Sequence, residues 1–330
     1  MVLPLATPAE ESFVKLNAST DPPLTHEVAP NPVFFDKDGL RAIWRVAIYA
    51  VLYYVLRSGF SAVMGSFARP DGSLSLWAFL WSEVLLFVAA LAPALVLGRL
   101  EDRDFSSYGL PLQQVFGKNF WIGALWGITA ISVLLLAMRG VGVFSFGHIA
   151  LHGVRVLKFA AFWGVLFLVV GLYEDFLFRG YSQFTLTQAI GFWPAAILLC
   201  LVFGAVHLPQ EKSALGNQGE AWIGALGAAL IGFFFCLTLR RTGTLWFAIG
   251  MHTAWDWGET FLYSVPDSGM VAPGHLMNPS FHGSRWLTGG SVGPEASVLL
   301  FVLIAAMWVL FDRMYPAKRG MQKSEVRMQE

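Results

Sequence analysis

The chain has 330 residues, of which 56% are hydrophobic and 13% charged, about half the charged fraction usual for a soluble domain. Apolar runs of the roughly 20 residues that cross a bilayer recur along most of it, which excludes a water-soluble core. Its 22 lysines and arginines balance 22 aspartates and glutamates, so no basic domain supplies the charge to neutralise phosphates, which argues against nucleic acid as a partner.

Residues 1–39 are polar and proline-containing, lack the positive start and apolar stretch of a cleavable signal, and are expected to form a disordered tail. Residues 40–315 are expected to form the membrane bundle, all-α and polytopic, with eight spans at about 40–63, 75–98, 118–138, 160–188, 193–208, 221–240, 243–264 and 295–315. Residues 316–330 form a basic tail. Trp44, Trp77, Trp121, Trp193, Trp222 and Trp246 fall near the predicted helix ends, where amphipathic rings sit at headgroup depth. Cys200 and Cys236 lie inside predicted spans and are read as packing residues, with no disulfide framework or zinc knuckle. One side of the bundle carries Arg41, Arg45, Arg99, Arg103, Lys118, Arg240, Arg241, Arg313, Lys318, Arg319, Lys323 and Arg327. The other carries mainly Arg139, Arg155, Lys158, Lys212 and Arg285. Both termini are therefore expected in the cytoplasm.

Ionisable groups at membrane depth are costly and point to function. Those here are Glu83, Glu174, Asp175, Arg179, His207, His252, Asp256 and Glu259. In "EDFLFR" Asp175 and Arg179 are four apart and share a helix face, while Glu174 points about 100° away from Asp175. The bland reading of this pair alone, a buried ion pair that fixes register, carries about half the weight. "FGAVH" places His207 at the end of the fifth span, ahead of Pro209. If the fourth and fifth spans form an antiparallel hairpin, Glu174 and His207 are level when the turn centres between Ile190 and Gly191, where "QAIGFWP" supplies Gly and Pro. In "GMHTAWDWGE" His252 and Asp256 share a face, and Glu259 continues it one turn on.

Glu174, His207, His252 and Asp256 on three helices could ligate a divalent metal such as zinc. Equally, they could activate a water on one side and polarise a carbonyl on the other without metal. Either arrangement leads to hydrolysis. Glu83 is read mainly as a structural partner for Arg57 or a lipid-facing acid kept protonated, with a place in the cavity as the lesser option. The connection from Ser264 to Pro294 exceeds a minimal link and reads as a lid, and its His275 and His282 as solvated. "GGSVG", Gly289 to Gly293, matches the nucleophile-elbow pattern but lacks its strand–turn–helix setting.

At these residues the chain resembles the CPBP family of intramembrane proteases, which includes the type II CAAX prenyl endopeptidases and bacterial bacteriocin-processing and immunity proteins. The family pattern EExxxR, FxxxH, HxxxN or HxxxD on consecutive helices reads here Glu174, Asp175 and Arg179, then Phe203 and His207, then His252 and Asp256. The resemblance covers about 160–260, and "LEDRDFSSYGL" and "LTGGSVGPE" are similar to stretches of bacterial members. It implies an intramembrane endopeptidase of a bacterial plasma membrane acting on a peptide or protein substrate, lipid-modified in some relatives, with membrane lipid around it. It also implies that Glu174 is the catalytic glutamate, that His207 assists the water, and that His252 with Asp256 forms the oxyanion site. Asp175 and Arg179 support them. Metal-dependent and metal-free mechanisms are both argued for the family. Asp175 replaces the family's second glutamate. Against this reading stand a non-catalytic scaffold or immunity protein that keeps the fold and, less favoured, a proton-coupled transporter, which the absence of an inverted hydropathy repeat disfavours.

Overall fold

The structure, a computed structural model, describes residues 31, 33–36, 39–69, 74–215, 218–271 and 273–317, for 209–215, 218 and 219 the backbone alone. The tail expected over 1–39 lies mostly outside these residues, as do Lys318, Arg319, Lys323 and Arg327 and the side chain of Lys212. The chain divides into a unit over 1–40 and one over 41–330. In the first, β1 (Phe35–Asp36) and β2 (Gly39–Leu40) pair antiparallel, Phe35 opposite Leu40, so part of the segment expected to be disordered forms a small hairpin.

The second unit is an all-α membrane helix bundle: α1 (Ala42–Gly65), α2 (Leu76–Leu100), α3 (Lys118–Gly140), α4 (Val154–Arg179), α5 (Tyr181–Ile190), α6 (Phe192–Leu215), α7 (Gln218–Thr242), α8 (Trp246–Trp257), the short α9 (Arg285–Thr288) and α10 (Val298–Met314). A hydrocarbon environment leaves no water for backbone groups, so apolar runs of this length close their hydrogen bonds as helix. Among the described residues, five segments are long and apolar enough to cross a membrane: 42–65, 76–100, 118–140, 154–190 and 220–242. Ser75 caps α2, its Oγ accepting from Ala78 N at 3.2 Å, and Ser297 caps α10 through Leu299 N at 3.2 Å. Large apolar side chains remain exposed on the outer faces, among them Val51 and Val55 of α1, Leu125 and Leu136 of α3, and Val302 of α10. Such a surface suits lipid and not water.

Every predicted span has a helix at its place, with three differences. The fourth is broken at Gly180, whose ψ of −113° takes the backbone out of the helix and starts α5 on a new course. The fifth runs through Pro209 to Leu215, so His207 lies within α6 and not at its end. The seventh ends as α-helix at Trp257 and continues as a π-turn over Gly258–Tyr263. Trp246 also departs from the interfacial reading: it is buried, and its indole Nε1 donates to Pro111 O at 3.1 Å.

α8, which carries the third motif, lies directly on α3. A Cβ at Gly123 would overlap the Phe247 carbonyl oxygen, one at Gly127 the Met251 carbonyl oxygen, and one at Gly250 the Phe120 carbonyl oxygen. Small residues four apart let two backbones touch, the usual device of helix pairs in lipid. The backbone held this way at Met251 is the one that bears His252. Gly127→Ala should therefore destabilise the bundle by about 1–3 kcal/mol, as overpacking does, and lower activity with it. Unfolding in mixed micelles and a turnover assay on the same preparation would check this, and an unchanged protein in both would remove α3 as the platform of the site.

The connection 264–294 is packed rather than loose. Its β4 (Met277–Phe281) pairs antiparallel with β3 (Phe144–Ile149), Phe144 opposite Phe281 and Ile149 opposite Met277, joining it to the α3–α4 link. Glu220 at the start of α7 ties down the rest: Arg285 Nη1 donates to it at 3.0 Å, and Ser291 donates through N at 3.1 Å and Oγ at 2.9 Å. The serine of "GGSVG" is thus occupied as a loop anchor.

Candidate active site

A cavity of about 1080 Å³ runs between α1, α2, α4, α6, α7 and α8 and is closed on one side by the 264–294 connection. Glu174, His207, His252 and Asp256 all line it, and it reaches the surface at Tyr54 and Arg57 of α1 and Val206 of α6. Glu83 lines it as well, near Tyr53 and Tyr173, whose hydroxyls share a hydrogen bond of 2.5 Å. The lesser of the readings of Glu83 put it in the cavity wall, and it lies there.

The hairpin argument holds in its result. Gly191, at φ +83°, makes the turn between α5 and α6, and Glu174 Oε2 comes to 4.0 Å from His207 Nε2. From α8, His252 Nε2 lies 3.8 Å from the same oxygen. Both imidazoles are oriented from behind. His207 Nδ1 sits 2.7 Å from the Phe203 carbonyl oxygen, one helical turn back. A carbonyl can only accept, so Nδ1 carries the hydrogen and Nε2 turns its lone pair to the cavity. His252 Nδ1 faces Asp175 Oδ2 at 3.5 Å, and its Nε2 faces Asp256 Oδ2 at 3.4 Å.

Behind Glu174 the pair of Asp175 and Arg179 is fully enclosed, with Nη1 to Oδ1 at 2.9 Å. The guanidinium lies over the Phe203 ring at 4.5 Å and the Phe235 ring at 5.4 Å, a cation–π sandwich. Phe203 also packs edge-on against His207, ring centroids 4.4 Å apart. One ring therefore locates both the buried cation and the second motif's imidazole, which gives the Phe of FxxxH a physical role. Phe235 of α7 packs on His252 as well, the rings tilted by 38° with centroids 5.6 Å apart. Phe235 was not singled out in the sequence, and no pattern in the "FFF" run distinguishes it.

The donor spacing bears on a metal. Tetrahedral zinc at about 2.1 Å needs its ligand atoms within about 3.5 Å of one another. No three of Glu174, His207, His252 and Asp256 bring one ligand atom each within 4.8 Å of the other two; the group that does, among the described residues, is Glu259, Asp267 and Glu295. Glu259 thus departs from the expected continuation of the His252 and Asp256 face, because the π-turn that begins at Gly258 changes the helical register there. Burial, with Glu295 beside it, pushes the Asp267 carboxyl up to about 7.

The fold and this cavity define a class: a helical membrane protein whose spans enclose facing carboxylates and imidazoles. Residues 156–258 match the Rce1-like family, described as type II CAAX prenyl endopeptidase Rce1-like. The matched stretch contains all three motifs. The match supports, at the level of that family, a CAAX-protease-like membrane endopeptidase acting on a peptide or protein. No curated protein and no solved structure matches the chain.

Proposed function

We propose that the chain hydrolyses a peptide bond near the C-terminus of a membrane-held, lipid-modified substrate, with a water activated by Glu174 and His207. The observation that carries this reading is the Glu174 carboxylate facing two imidazole Nε2 atoms at 3.8 and 4.0 Å inside the cavity. Two acceptors bridged by one water at ordinary lengths lie about 4.5 Å apart. A water between Glu174 Oε2 and His207 Nε2 gives a hydrogen to each and turns its lone pair toward a carbonyl. Glu174 takes the proton as the water oxygen bonds to the carbonyl carbon, and returns it to the amine nitrogen as the C–N bond breaks.

The developing oxyanion needs a donor, and His252 as an imidazolium supplies it from Nε2. Asp175 holds Nδ1, and Asp256 steadies the positive ring without being the donor itself. This route uses no metal, in keeping with the donor spacing. An apolar lining that includes Phe79, Leu86, Leu166 and Val170 gives a lipid tail its place beside the polar centre.

The test is release of the C-terminal tripeptide from a prenylated peptide by the full chain in proteoliposomes, followed by mass spectrometry. Asp256→Asn keeps an acceptor for the ring and should stay within about tenfold of wild type, whereas Asp256→Ala should lose about 10²-fold, a typical loss for one oriented acid–base group. Absence of tripeptide release by wild type, or equal loss in the two variants, counts against the scheme.

A further inference from the structure

The connection 264–294 meets the bundle at three acids that take no part in the proposed chemistry. Glu259 comes from the π-turn after α8, Asp267 from the connection, and Glu295 from the turn before α10. One oxygen of each lies within 4.8 Å of the other two. Glu259 is fully buried beside Trp255, and neither of its carboxylate oxygens makes a hydrogen bond of ordinary geometry. Among the described residues no arginine, lysine or histidine forms an ion pair with any of the three. The other contacts engage only one oxygen of each neighbour. Thr260 Oγ1 donates to Asp267 Oδ2 at 3.0 Å, and Ser268 donates to Glu295 Oε2 through N at 3.0 Å and Oγ at 2.8 Å.

A buried carboxylate with no partner is costly on its own, and a second and third acid beside it add repulsion. A cation removes both penalties. With three carboxylates this close together, one oxygen from each can converge on a single cation at the roughly 2.4 Å typical of calcium–oxygen bonds. The donors are all hard oxygens, with no nitrogen or sulfur to favour zinc. We infer that Glu259, Asp267 and Glu295 bind one hard divalent cation, calcium by preference, which staples the 264–294 connection to the ends of α8 and α10. Asp267, Ser268 and Glu295 line the same cavity as Glu174 and His252, so the ion fixes the wall that faces the substrate without touching the reacting groups. The inference does not depend on the hydrolytic reading.

The experiment is equilibrium binding of radioactive calcium to the full chain in detergent after chelation, with Glu259→Gln, Glu295→Gln and Glu174→Gln alongside. One ion per chain with a Kd of about 10⁻⁵ to 10⁻³ M is expected, in the range of exposed to moderately tight oxygen sites. Binding should weaken more than about tenfold in the first two variants and change less than about twofold in the third. Glu259→Gln removes a buried charge and so should fold at least as well as wild type; should either variant fail to fold, Asp267→Asn takes its place. No saturable binding by wild type overturns the inference. So does binding that survives Glu259→Gln, and so does loss in Glu174→Gln, which would move the ion to the catalytic groups.

Discussion

Glu174→Gln should abolish tripeptide release, by about 10³-fold or more, while leaving the protein folded and able to bind its peptide. The amide has the shape of the carboxylate but cannot take the proton of the water. The surroundings of Glu174 predict a clean effect on turnover. It is half-buried, it makes no direct hydrogen bond to either imidazole, and the Asp175 and Arg179 pair that shapes α4 is engaged elsewhere. Unfolding in micelles should match wild type, KM should move little and kcat should collapse. This experiment also separates hydrolysis from the scaffold reading. A scaffold or immunity protein that only holds a peptide in this cavity keeps its function in Glu174→Gln, and residual turnover above about a tenth of wild type would move the base to another group.

Much of the site was legible because its spacing is local. Asp175 with Arg179, Phe203 with His207, and His252 with Asp256 are each four apart, and a helix turns each spacing directly into a contact: 2.9 Å, 4.4 Å between rings, and 3.4 Å. Placing Glu174 level with His207 required only a turn at Gly191. The spans were legible because lipid demands long apolar helices. What escaped depends on backbone irregularity or on distance in sequence. Gly180 breaks the fourth span although helix continues on both sides, and the π-turn at Gly258 sends Glu259 to meet Asp267 and Glu295, the last of them 36 residues away. "GALWG", Gly123 to Gly127, carried a visible small-residue spacing that marks where α8 docks. Arg45 and Arg103, both counted toward orientation, meet at one acid that the sequence did not connect to them, Glu101, at 3.1 and 2.9 Å.

The largest loss of stability should come from Arg179→Met, about 3–5 kcal/mol, because it takes from the buried Asp175 the guanidinium that is its hydrogen-bonded partner and leaves only the His252 ring facing it. The pair cannot escape to water. α7 supplies Gly232 at the point where a Cβ would strike Arg179 Nη2, so the guanidinium fills a slot that the neighbouring helix has left for it. Arg179→Lys should recover only part of the loss, since an ammonium satisfies Asp175 but does not lie flat between Phe203 and Phe235. The double variant Asp175→Asn with Arg179→Met removes both charges together and should be more stable than Arg179→Met alone by about 2 kcal/mol or more. Its activity should nonetheless stay low, because Asp175 Oδ2 also faces His252 Nδ1 and sets the ring that meets the oxyanion. Unfolding in mixed micelles across the four proteins of the cycle, with turnover on each, tests both halves. Additive losses would mean that the two charges do not depend on each other. Full activity in the double variant would mean that His252 is held by something other than Asp175.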